Sequence, residues 1–151
     1  MRSHGGICRH QCGLPQLTGK PLLLVAACAL VDADKRVLIA QRPQGKDMAG
    51  LWEFPGGKME PGETPEDTII REFAEELAVT ITKPCLAPLT FASHDYSDFH
   101  ILMPLFICRR WGGTPVGREA QDLKWVRANR LREFPMPAAD EPLISHLADL
   151  L

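Results

Sequence analysis

Glu72, Glu75 and Glu76 fall within five residues of the stretch GETPEDTIIREFAEELAV (62–79). On a helix they stand at i, i+3 and i+4, on a single face, where like charges repel. The last two also lie near the helix C-terminus, where the macrodipole disfavours anions. Taken alone, the three acids read as a solvated acidic face. The chemistry that would make their crowding tolerable is a hard divalent cation. Mg²⁺ takes oxygen ligands and binds through a few carboxylates together with substrate phosphates. The flanking residues suit it. The glycine turn PGGK (55–58) lets backbone approach a ligand closely. Lys58 and Arg71 bring positive charge to the acids, and an Arg71–Glu63 pair would fix the preceding loop on the helix.

The elements that must position these residues are legible as periodicities. Thr64 reads as an N-cap, Pro65 as the first helical residue and Asp67 as the partner in a capping box. Ile69, Ile70, Phe73 and Leu77 form an apolar face, so the helix is expected over 65–78. Leu22–Val31 reads as a strand buried on both faces, followed by a turn and a second strand, Arg36–Gln41, in a hairpin. Residues 42–50 read as a loop, and 51–63 as short strand pieces and tight turns. Further strands are expected over 88–94, 100–110 and 122–126. A C-terminal amphipathic helix is expected within 136–151, with Leu143, Leu147, Leu150 and Leu151 inward. The fold class is α+β: one domain over 21–151, a mixed sheet between helices. Residues 1–20 have no period and read as a flexible tail. Its His4, Cys8, His10 and Cys12 match no standard zinc spacing.

Composition narrows the function. The chain has 151 residues, 45% hydrophobic and 24% charged, with a net charge of −2, which suits one soluble domain. No basic excess is present to hold polymeric nucleic acid, and no polybasic run to hold a membrane. The run PLLLVAACALV (21–31) is too short to span a bilayer and reads as a strand rather than a secretory leader. Five cysteines, with no C-x-x-C pair, fit a reduced cytoplasmic chain.

The central stretch resembles the Nudix box, G-x5-E-x7-R-E-U-x-E-E-x-G-U with U apolar. Gly57, Glu63, Arg71, Glu72, Phe73, Glu75, Glu76 and Val79 match it. Ala78 stands where the family has Gly, a position that favours left-handed backbone. The stretches LWEFPGGKMEPGETPE, WGGTPVGREAQDLKWV and FPMPAADEPLISHL are similar to the MutT-type branch, so the resemblance covers about residues 22–149. It implies an α/β/α sandwich. It also implies an Mg²⁺-dependent (or Mn²⁺-dependent) hydrolase that converts a nucleoside triphosphate to monophosphate and pyrophosphate. The expected substrate is 8-oxo-dGTP, hydrolysed to sanitise the nucleotide pool that serves DNA replication and repair. By the same resemblance Glu72, Glu75, Glu76, Glu119 and the Gly57 carbonyl are the metal ligands. Glu72 or Glu119 helps deprotonate the attacking water, and Glu63 and Arg71 orient the helix.

The resemblance assigns Arg42, Phe54, Asp98 and Asp140 to the base pocket, and Lys58, by its charge, joins them as a substrate-binding residue. In the bacterial branch specific for 8-oxo-dGTP an Asn stands at the position of Asp140. Asn donates and accepts at once, matching the N7–H and O6 of the oxidised purine. An ionised Asp only accepts, which suits an exocyclic amine; a protonated Asp raised by burial serves the oxopurine. A CTP- or 5-methyl-dCTP-type specificity and a non-catalytic nucleotide-binding module therefore stand as rivals, with the oligomeric state a monomer or homodimer.

Overall fold

The computed structural model describes residues 19–151. The tail expected over 1–20 lies outside the described residues, His4, Cys8, His10 and Cys12 included, except at Gly19 and Lys20. Lys20 is held in place: its Nζ sits 3.1 Å from Asp95 and 3.0 Å from the Tyr96 carbonyl oxygen.

Seven strands and two helices follow in order: β1 (Leu22–Leu30), β2 (Arg36–Gln41), β3 (Trp52–Glu53), β4 (Gly56–Lys58), α1 (Pro65–Leu77), β5 (Ala87–Asp95), β6 (His100–Cys108), β7 (Leu123–Arg127) and α2 (Glu141–Leu150). The strands divide into a four-stranded sheet, β4-β1-β6-β5, and a three-stranded one, β3-β2-β7. The larger sheet is mixed, since β1 runs parallel to β6 and antiparallel to β4.

The apolar run that reads as a doubly buried strand is β1, in the interior of the sheet. Its side chains alternate between two cores, as the period of two dictates. Ala26, Cys28 and Leu30 pack with Ile69, Phe73 and Leu77 of α1. Ala27, Ala29 and Val31 pack with Leu143, Ile144 and Leu147 of α2. Each large side chain so buried contributes roughly 1.5–3 kcal/mol.

Two expectations need correction. The β1–β2 hairpin exists only at its tip, where Val31 bridges Val37 and the Asp32 N–H donates to the Arg36 carbonyl at 3.0 Å. Both edges of β1 are already taken by β4 and β6, so β2 leaves for the other sheet and pairs β3 and β7. In α2 the inward set is Leu143, Ile144 and Leu147, and Leu150 is exposed. At 100° per residue, positions 143, 144, 147 and 151 share one stripe, and position 150 falls at its margin.

Candidate active site

The site begins at the N-terminus of α1. Thr64 Oγ1 accepts the Asp67 N–H at 3.2 Å and the Asp67 carboxylate accepts the Thr64 N–H at 3.1 Å, the capping box in full. One turn on, Arg71 ties the helix to the loop before it. Its Nε and Nη2 donate to the two Glu63 oxygens at 2.8 and 2.9 Å. Its Nη1 donates to Glu72 Oε1 at 2.7 Å. Glu63 also accepts the Glu60 N–H at 2.8 Å and the Thr68 hydroxyl at 3.0 Å. With Arg71 as the largest cause, these donors hold the Glu63 carboxyl down at about 2.

Glu72 is thereby aimed at β4. A Cβ built on Gly57 would overlap the Glu72 carboxylate, so glycine lets the acid keep this position against the strand, and any other residue would push it aside. Glu76, one turn further, faces Glu72 and Glu119. Its carboxyl is pushed up to about 8, first by burial and then by those two acids. Glu75 turns outward, 63% exposed and 3.6 Å from Arg71 Nη1.

Glu119 arrives from the loop before β7, which closes off the end of α1. The Val116 and Arg118 N–H groups donate to the Leu77 and Glu76 carbonyls at 2.9 and 3.0 Å. Arg118 Nη1 and Gln121 Nε2 donate to the Ala74 and Glu76 carbonyls at 3.3 and 3.4 Å. These bonds satisfy carbonyls that every helix end leaves open. Ala78, in the place of the family's Gly, takes the left-handed turn all the same, at φ 57° and ψ 32°.

Glu76 and Glu119, with Glu53, Arg42 and Lys46, line a cleft of about 120 Å³, and Glu72 lies behind it beside Glu76; the three acids Glu72, Glu76 and Glu119 are hard oxygen donors. Among the described residues no three acid, imidazole or thiol groups form a closed coordination shell by themselves. The donor set, the missing Cβ at Gly57 beside Glu72, and the Glu72 and Glu119 charges that add to burial in raising Glu76 all fit a divalent cation.

A second cleft, about 270 Å³, adjoins the first through Arg42, Glu53 and Gly56. Arg42, Phe54, Gly57, Lys58 and Asp140 of the expected set line it. Asp98 does not: it sits exposed in the bend between β5 and β6. Asp140 is only 5% exposed. Among the described residues the one hydrogen bond to its carboxyl comes from the Phe54 N–H, 3.4 Å from Oδ1. Burial first, then the Glu53 charge, pushes its carboxyl up to about 8. Glu53 itself is raised by burial, which the Arg42 guanidinium at 3.0 Å offsets only in part.

The sequence reading passed over Glu53, Tyr96 and Phe99, all of which line this cleft. Glu53 carried a usable signal, an acid between two large apolar residues in a short strand. Tyr96 and Phe99 carried none beyond their size. The Tyr96 hydroxyl accepts the Ala139 N–H at 3.0 Å and so fixes the segment that leads into Asp140.

Comparison with known proteins agrees with this architecture. A family model described as NUDIX domain matches residues 26–146. An 8-oxo-dGTP diphosphatase of Escherichia coli K12 is 34% identical over 128 residues, 85% of this chain and 98% of that one. A CTP pyrophosphohydrolase of the same organism is 34% identical over 124 residues, 81% of this chain and 89% of that one. A solved MutT structure, from work on Aliivibrio salmonicida and Vibrio cholerae, superimposes with a TM-score of 0.73 at 28% identity, covering 86% of this chain and 99% of that one. The chain belongs to the Nudix family, and its fold is that of the MutT structures.

Proposed function

We propose that the protein is a divalent-metal-dependent nucleoside triphosphate pyrophosphohydrolase whose preferred substrate is 8-oxo-dGTP, with Mg²⁺ as the working ion. The observation that carries the choice of base is the buried Asp140 carboxyl, raised to about 8. Below that value it is protonated. It then donates through one oxygen and accepts through the other, as an Asn would. An oxidised purine presents a matching acceptor at O6 and donor at N7. Phe54, Tyr96 and Phe99 supply the apolar and aromatic walls.

Glu72, Glu75, Glu76, Glu119 and the Gly57 carbonyl are the groups that would hold the cation. When bound, it lowers the pKa of the attacking water and neutralises the polyphosphate. The rest is done by the chain. Arg71 orients Glu72 through the 2.7 Å hydrogen bond, and Glu63 orients Arg71. Glu72 or Glu119 accepts the proton of the water that attacks phosphorus, and pyrophosphate departs from the monophosphate. Lys58, exposed at the rim of the base cleft, offers charge to the phosphates. No covalent intermediate is required.

A CTP-type specificity is the second reading. It is favoured by a relative named CTP pyrophosphohydrolase with the same 34% identity and by Glu53, a second raised carboxyl beside Asp140. A proton resident on Glu53 would leave Asp140 ionised against an amine. The reaction itself is tested by turnover of 8-oxo-dGTP in ¹⁸O-water with Mg²⁺. The expected products are monophosphate and pyrophosphate, one of them labelled, with none formed in EDTA. Orthophosphate as the first product, or metal-independent turnover, rejects the reading.

A further inference from the structure

Lys46 reaches across the mouth of the acidic cleft from the loop that joins β2 to β3. Its Nζ lies 3.0 Å from Glu119 Oε2, in a loop 73 residues away in sequence. Both side chains are about half exposed, 52% and 45%, so the pair is weak and readily exchanged. The cleft has one other cation in its lining, Arg42. Arg42 is committed, with Nη1 on Glu53 at 3.0 Å and Nε on the Asp47 carbonyl at 2.7 Å. Among the described residues Glu119 is the one hydrogen-bond partner of the Lys46 ammonium. Two glycines at positive φ, Gly45 and Gly50, flank the segment that carries it. An ammonium on a flexible stem is a point charge that serves a carboxylate or a phosphate equally well.

We propose that Lys46 is a two-position countercharge. It neutralises Glu119 while the acidic cleft holds no divalent cation, and it turns to the polyphosphate of the substrate when Glu119 is given over to one. The inference rests on the hydrolase reading above. No bond is made or broken in the exchange; only the anionic partner of Lys46 changes. The placement accounts for a lysine in front of acids that would otherwise be left to the cation alone. It also adds a phosphate contact from the acidic cleft to the one that Lys58 offers from the adjoining cleft.

The test uses the full chain as wild type, Lys46→Met, which keeps the length of the stem, and Lys46→Arg. Free Mn²⁺ is counted by electron paramagnetic resonance without nucleotide. Lys46→Met is expected to bind Mn²⁺ about two- to fivefold more tightly, because a competitor for Glu119 is gone. With Mn²⁺ saturating, its KM for the best triphosphate substrate is expected to rise about tenfold, with a smaller change in kcat. Lys46→Arg is expected to restore KM. An unchanged Mn²⁺ affinity or an unchanged KM in Lys46→Met, beside a wild type that binds Mn²⁺ and turns over, overturns the inference alone. A wild type that neither binds Mn²⁺ nor hydrolyses any triphosphate overturns the hydrolase reading, and this inference with it.

Discussion

Arg71 holds Glu63 through two hydrogen bonds of 2.8 and 2.9 Å and reaches Glu72 with its remaining nitrogen at 2.7 Å. One guanidinium thus locks the loop before α1 to the helix and sets the direction of Glu72. The fork of an arginine makes this possible, and a lysine could not reproduce it. Arg71→Lys is expected to lower kcat at least tenfold while nucleotide binding changes little.

The same contact has a pH signature. Glu63 is held at about 2 against an ordinary 4.5, a depressed acid. Its contribution to stability is therefore fully present above 4.5 and is lost as pH falls through 2. Glu63→Gln should be less stable than wild type at pH 7, and the two should converge as both are acidified. Thermal melts from pH 7 down to the acid limit of folding check this. Parallel curves would mean that the pair is not coupled to folding.

Asp140 has the opposite sign. Its folded pKa of about 8 lies above the ordinary 3.8, so the folded state binds the proton more tightly than the unfolded one. Stability then declines as pH rises from 3.8 to 8. Asp140→Asn removes that decline, and its advantage over wild type should grow with pH to about 1 kcal/mol or more at pH 8. Urea unfolding at pH 5 and pH 8 measures it.

Gly57→Ala places a Cβ against the Glu72 carboxylate. Displacing that acid by about an ångström is expected to cost on the order of 10²-fold in kcat. Mn²⁺ binding should weaken in the same variant while its thermal unfolding midpoint stays near that of the wild type, which separates a loss of the site from a general loss of fold.

Ala78→Gly relieves a non-glycine residue at φ 57°. The strain of an L-residue in that conformation is about 1–2 kcal/mol, and glycine recovers part of it against its own entropy in the unfolded chain. A gain of about 0.5–1 kcal/mol in chemical denaturation is expected, with catalysis unaltered.

The local features were legible from the chain. Thr64, Pro65 and Asp67 announce the start of α1 because a helix cap is written in adjacent residues. The doubly buried β1 is announced by nine residues in which neither face is polar. What failed was non-local. The hairpin reading for β1 and β2 could not know that β4 and β6 occupy both edges of β1, since pairing partners are separated by tens of residues. Asp140 could be placed near the base, but its protonation depends on burial and on Glu53, 87 positions earlier. Asp98 and Tyr96 are two residues apart, and only Tyr96 lines the cleft. A resemblance carried over by position does not distinguish neighbours in a bend.

A triphosphate pyrophosphohydrolase that reads an oxidised purine with a neutral Asp140 must discriminate between bases. The most direct measurement is kcat/KM of the pure protein with Mg²⁺ for 8-oxo-dGTP, dGTP, dCTP, 5-methyl-dCTP and CTP, with EDTA as control. Metal-dependent pyrophosphate release is expected, with 8-oxo-dGTP favoured over dGTP by about 100-fold or more. A preference for the cytosine nucleotides, or no turnover that EDTA abolishes, would contradict it.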